Sequence, residues 1–176
     1  MTETQSITGE RADILSYLAE KRHFLRFTAQ GLTDEQANTR STVSELTVGG
    51  LIKHVTEVEK GWQRFARGEG HVMMDIDFEN ITPEQAEEFA NTFRLTDGET
   101  LEGALADYEE VAADTAELVR TLDLDAAYEL PEAPWQPPGV FWTVRRVFLH
   151  IAGETAQHSG HADIVREAID GQKTMG

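Results

Sequence analysis

Between Val144 and Ile169 apolar residues recur at helical spacing, and a histidine stands at the centre of the stripe they form. With 100° of rotation per residue and His158 as zero, Val144, Val147, Ile151, Ala162, Val165 and Ile169 all fall within about 40°. Glu154 lies about 40° to one side and His161 about 60°, whereas Gln157, Gly160, Asp163 and Glu167 point well away. So long an amphipathic helix has to pack against other helices, which carries two or three ionisable groups into a packed side. An isolated carboxylate is rarely buried, because desolvation disfavours its charged form. A divalent cation would resolve the conflict, since residues at i and i+4 are neighbours on one helix face and Glu154 and His158 then supply two ligands.

A single helix offers about two ligands at good geometry, so a third should come from elsewhere. His54 is the best candidate. The segment from Val48 to Gly68 is an amphipathic helix that Thr47 can cap. Relative to His54, Leu51, Val55, Val58, Trp62 and Phe65 fall between about 20° and 100°, while Lys53, Lys60, Gln63 and Arg64 face the other way. A lone histidine beside a core is usually explained by a local hydrogen bond. Here two apolar stripes each carry ligand-type groups, which favours a metal site, with His161 as the rival for third place.

Two further segments have helical periodicity. Glu10 to about Gln30 carries Ile14, Leu15, Leu18 and Leu25, with Gly31 as a stop. Gly98 to Leu122 carries Leu101, Leu105, Tyr108, Val111, Ala112, Thr115, Leu118 and Val119 on one side. Thr33-Asp34-Glu35-Gln36 and Thr82-Pro83-Glu84 are short helix starts. The stretch from Glu69 to Asp97, with Met73, Met74, Ile76 and Phe78, is expected to be a loop holding one short helix. Pro131, Pro134, Pro137 and Pro138 call for an extended crossing before the last helix, from about Phe141 to Ile169 and closed by Gly171. The expected fold is all-α: a four-helix bundle with a long crossover connection, spanning residues 1–176 as one domain with a flexible tail over 1–9. Metal sites in such bundles are built from side chains on facing helices.

The chain has 32 acidic and 15 basic residues, a formal charge of −17. That surface repels nucleic acid, and no basic stripe offsets it. No 18-residue apolar run or signal pattern is present, so the expectation is a soluble, cytoplasmic protein without membrane attachment. With no cysteine, disulfides, thiolate zinc sites and a protein-borne thiol nucleophile are all excluded.

Leu51-Ile52-Lys53-His54-Val55, together with the run from Leu149 through His150, Glu154, His158 and His161 to Asp163 and then Arg166 to Gly171, resembles the DinB-like (DinB/YfiT) superfamily. Within it the chain is most similar to the actinobacterial branch of mycothiol-dependent maleylpyruvate isomerases and mycothiol S-transferases. The commoner superfamily pattern has a histidine where this chain has Glu154, and glutamate is the variant of the mycothiol-dependent branch. The resemblance implies a divalent ion, usually zinc, on His54, Glu154 and His158. Many relatives carry glutamine at the position of His161, which makes it a substrate-contacting or outer residue. A homodimer also occurs in relatives.

Three ligands on a tetrahedral ion leave a position for water or substrate. A small thiol such as mycothiol, deprotonated there, would attack an electrophilic small molecule. Nickel, manganese, cobalt or iron would suit the same donors. Arg145 and Arg146 are candidates to bind an anionic substrate group, and Trp135, Phe141 and Trp142 to wall the pocket, although arginine pairs are usually solvated and such aromatics usually pack. His150, about 80° from His158, is expected to make a structural hydrogen bond, and Arg166 to pair with a nearby acid. His23 and His71 belong to no constellation. Two alternatives stand beside the S-transferase: a hydrolase using metal-bound water, and a non-enzymatic protein with a structural or sensing ion.

Overall fold

The computed structural model describes residues 7–70, 80–131 and 137–174. His71, the Met73 to Phe78 segment, Pro134, Trp135 and the first six residues of the expected tail lie outside them. Four long helices dominate: α1 (Glu10–Ala29), α3 (Val48–Ala66), α5 (Leu101–Thr121) and α6 (Val144–Asp170). Helix α6 packs on α1 and α3, and α3 also packs on α5. Two short helices, α2 (Asp34–Ala37) and α4 (Pro83–Asn91), occupy the connections. The fold is the all-α four-helix bundle that the periodicity predicts.

Threonines set the helix starts. The side chains of Thr33, Thr47, Thr82, Thr100 and Thr143 each accept a backbone N–H of the first turn, satisfying a donor that has no partner within the helix. At the other end of α6, Gly171 is left-handed, with φ 81°, a conformation that glycine adopts without a Cβ penalty.

The crossing into α6 differs from expectation. Ala127–Glu129 (β1) and Phe141–Thr143 (β2) pair antiparallel, with Tyr128 opposite Trp142. Phe141, expected to open the last helix, is therefore in a strand, and the helix begins at Val144. The reason is local: Thr143 accepts the Arg146 N–H as cap, while the Val144 and Arg145 amides donate to the carbonyls of Ala126 and Leu124. Pairing across a proline-bearing connection satisfies backbone groups that an isolated extended segment would leave to solvent.

The interior has two apolar clusters. One gathers Leu18, Trp62, Phe65, Leu118, Val147, Phe148 and Ile151, and the other Leu25, Leu51, Ile52, Val55, Tyr108, Ala162 and Val165. Buried polar residues fall between the clusters along every long helix: Arg22 on α1, Glu59 on α3, Thr115 on α5, and Thr155 and Ser159 on α6. Glu59 Oε1 accepts from both Arg22 and Thr115, and Gln63 donates to Thr115 Oγ1 at 2.9 Å. The sequence reading passed over this layer. Part of its signal was present: Arg22 stands within the apolar stripe of α1, between Leu18 and Leu25, whereas Glu59 falls about 40° beyond the stripe drawn for α3.

Candidate metal centre

On α6 the residues that face the interior and those that face α3 alternate. Glu154 and His158 lie about 100° of helix rotation from Thr155 and Ser159, so they leave the central layer and emerge on the α3 flank. The flanking apolar positions Val147, Ile151, Ala162 and Val165 are all buried, as the helical wheel requires. His158 itself keeps 13% of its side chain exposed and Glu154 28%. His54, half-buried on α3, meets them there: its ring centroid is 5.0 Å from that of His158, edge to face. His158 Nε2 stands 3.6 Å from Glu154 Oε2. The predicted trio therefore comes together at the contact between α3 and α6.

Glycines make room for the His54 side of the site. A Cβ on Gly50 would stand 1.7 Å from the Phe93 carbonyl oxygen, and one on Gly49 2.7 Å from the Leu95 side chain. The chain leaving α4 can press against the first turn of α3 only because both positions lack a side chain. Phe93 is thereby stacked on the His54 imidazole, with centroids 4.2 Å apart. Asn38 fastens the same segment by exchanging hydrogen bonds with the backbone of Leu95, at 2.8 and 3.1 Å. Phe93 had escaped the sequence reading, because nothing in its local pattern points to His54. The paired glycines opening an otherwise strong helix were the available clue.

Electrostatics suits the three groups to a cation. Burial, reinforced by the neighbouring His158, lowers the His54 pKa to about 4, so its imidazole is neutral and keeps a lone pair. The hydrogen-bonding influence of His158 holds the Glu154 carboxyl below the usual carboxylate range, against the burial that raises it. His158 Nδ1 is buried without a hydrogen-bond partner, and so is His161 Nδ1. Ionised carboxylate, neutral imidazole and unpartnered nitrogens are the donor set that a borderline divalent ion takes. As the side chains stand, however, no group of three or more His, Asp or Glu among the described residues is close enough together to hold an ion.

The remaining candidates are dispersed. His161 flanks the trio, its ring 5.5 Å from that of His158. Arg145 is tied to Glu10 and Asp125 at the start of α6, which leaves its guanidinium neutralised. Arg146 lies 4.4 Å from the centroid of the Trp142 ring. Trp142 stacks on Trp62 at 5.1 Å, while Phe141 is 59% exposed. Arg166 is buried and pairs with Asp170, and it also donates to the Thr28 and Gln30 carbonyls. A groove of about 970 Å³ runs between α1 and the start of α5, lined by His23, Phe27, Leu101 and Leu105, and none of the six candidate residues borders it. No helix among the described residues is long and apolar enough to cross a membrane.

Comparison with known proteins agrees with the fold. The solved structure of a conserved protein from Enterococcus faecalis superposes with a TM-score of 0.68, at 15% identity, covering 94% of this chain and 100% of that one. That likeness concerns the fold alone. No curated protein matches the chain. The family model for mycothiol S-transferases matches residues 13–171, a span that includes all four long helices, the hairpin and every residue of the candidate trio, and the chain belongs to the mycothiol S-transferase family.

Proposed function

We propose that the protein is a metal-dependent S-transferase in which His54, Glu154 and His158 hold a divalent ion, zinc by preference, at the α3–α6 contact. The meeting of His54 with Glu154 and His158 across two helices is the observation that carries this reading, and the family match supplies the thiol. When bound, the ion lowers the pKa of an incoming thiol, so that thiolate is present near neutral pH. The thiolate supplies the electron pair of a new C–S bond to an electrophilic carbon of a small molecule. That carbon's bonding pair leaves with a departing group or, at an activated double bond, its π pair shifts to the adjacent atom, which takes up a proton; the thiol proton passes to solvent. His54 contributes a neutral donor whose orientation Phe93 fixes by stacking. Glu154 offsets charge, and its carboxylate stands 3.6 Å from the His158 imidazole. Arg146, beside Trp142, is the cation best placed to receive an anionic substrate group; Arg145 is already paired.

The test combines elemental analysis with turnover, on protein purified without an affinity tag. About one equivalent of metal in the wild type, lost in His54→Ala, Glu154→Ala and His158→Ala, is the expected result. Conjugation of a panel of electrophiles should require added mycothiol and vanish in the same variants. Turnover without thiol would replace this reading with hydrolysis by metal-bound water. Metal loss that lowers only thermal stability would make the ion structural. A wild type that cannot be loaded at all would end the metal reading.

A further inference from the structure

One polar side chain beside the trio has no part in the reading above. His150 lies one helical turn before Glu154, and its Nε2 stands 3.5 Å from Glu154 Oε1, while His158 Nε2 addresses Oε2 from the other side at 3.6 Å. The carboxylate is suspended between two imidazoles, one per oxygen. His150 is in turn held by an aromatic clamp. Its ring meets Trp62 at 4.6 Å and Trp142 at 5.0 Å, edge to face in both cases, and the two indoles stack on each other 11° from parallel. Trp62 comes from α3 and Trp142 from β2, so the hairpin and α3 together fix one α6 side chain.

This arrangement separates the two oxygens of Glu154 by role. His150 lies eight residues from His158, about 12 Å along the helix axis, too far along α6 to join the same ion comfortably. It is well placed to occupy Oε1. A carboxylate that binds a cation through one oxygen needs its plane fixed, and a donor on the other oxygen does this, which is why such partners influence metal affinity almost as strongly as ligands do. We propose that His150 is a positioning residue for Glu154: clamped by Trp62 and Trp142, it holds Oε1 and so presents Oε2 beside His158. The inference rests on the metal reading given above and extends it to a residue that touches neither ion nor substrate.

Two substitutions divide this role from simple packing. His150→Phe keeps an aromatic ring against the indoles and removes the donor. His150→Gln gives up the ring and retains an N–H near the position of Nε2. The side chain is 31% exposed, so both variants should fold, which thermal melts would verify. Zinc affinity is measured by competition with a chromogenic chelator, and ligand geometry by the visible absorption of the cobalt-substituted protein. His150→Phe is expected to bind zinc about 10–100-fold more weakly with a changed cobalt spectrum, and His150→Gln to stay within about threefold of wild type with its spectrum preserved. Wild-type affinity in His150→Phe, alongside the expected loss in Glu154→Ala, would overturn the positioning role alone. A parallel loss in both His150 variants would assign the effect to ring packing and overturn it too. A wild type that binds no zinc would overturn this inference together with the metal reading.

Discussion

Two regions of the bundle carry ionisable groups on otherwise apolar helix faces, and they dispose of them in opposite ways. In the central layer a guanidinium from α1 meets a carboxylate from α3, and the hydroxyl of Thr115 and amide of Gln63 complete the pattern. Charge is neutralised within the layer, and Arg22 Nε and Glu59 Oε2 are its buried atoms without a hydrogen bond among the described residues. On the α3–α6 flank one carboxylate faces imidazoles, of which His54 is held neutral by burial. Among the described residues, no lysine or arginine pairs with Glu154. A buried charge in a helix stripe is thus no sign of a binding site by itself. The distinguishing feature is whether a complementary charge stands in the stripe of the neighbouring helix.

Breaking the central pair should have the largest effect. Glu59→Leu strands the Arg22 guanidinium, and chemical denaturation should show a loss of about 3–5 kcal/mol. Arg22→Met with Glu59→Leu should recover most of it, whereas Glu154→Ala in metal-stripped protein should cost about 1 kcal/mol or less. Equal costs at Glu59 and Glu154 would erase the contrast.

A pH series sharpens the same contrast. In metal-stripped protein the unfolded chain takes up a proton at His54 below the ordinary value of 6.5, while the folded chain does so only near 4. Between those values the unfolded state binds more protons, so stability falls as pH falls, by at most about 3 kcal/mol, and above 6.5 the contribution is constant. Thermal melts of wild type and His54→Gln should diverge across that window, and parallel curves would show that His54 is not buried as described.

Gly50→Ala should act third, costing about 1–3 kcal/mol because its Cβ meets the Phe93 backbone. Unlike the Glu59 change, it should also weaken metal binding by pushing Phe93 off His54. Destabilisation with zinc affinity intact would uncouple that contact from the site.

The four long helices were legible because each combines apolar periodicity with a threonine cap or a glycine stop that acts within a few residues. The meeting of His54 with Glu154 and His158 was legible for a related reason: His158 stands within a stripe whose burial was already implied, and Glu154 and His54 border such stripes. The hairpin was not, since three-residue strands carry no usable alternation and their pairing joins Tyr128 to Trp142 across an intervening loop. The stacking of Phe93 and the clamp on His150 depend on contacts between distant segments, which periodicity along one helix does not encode. Arg22 and Glu59 are a different case. Arg22 satisfies the test applied to His158, whereas Glu59 falls outside the stripe drawn for α3 and is buried because α5 packs on that flank with Thr115.

Helix α6 is fastened near both ends. Arg145 joins it to Glu10 and Asp125, and two and a half dozen ångströms further along Arg166 grips the carbonyls that end α1. Mechanically it is a rail, and Glu154 and His158 are mounted on its middle. The opposing jaw is built differently: His54 on α3 is backed by the Phe93 to Leu95 segment, which is seated on two glycines and pinned by Asn38. Glu154 and His158 therefore approach an ion from a helix held at both ends, and His54 approaches from one whose first turn is packed backbone to backbone.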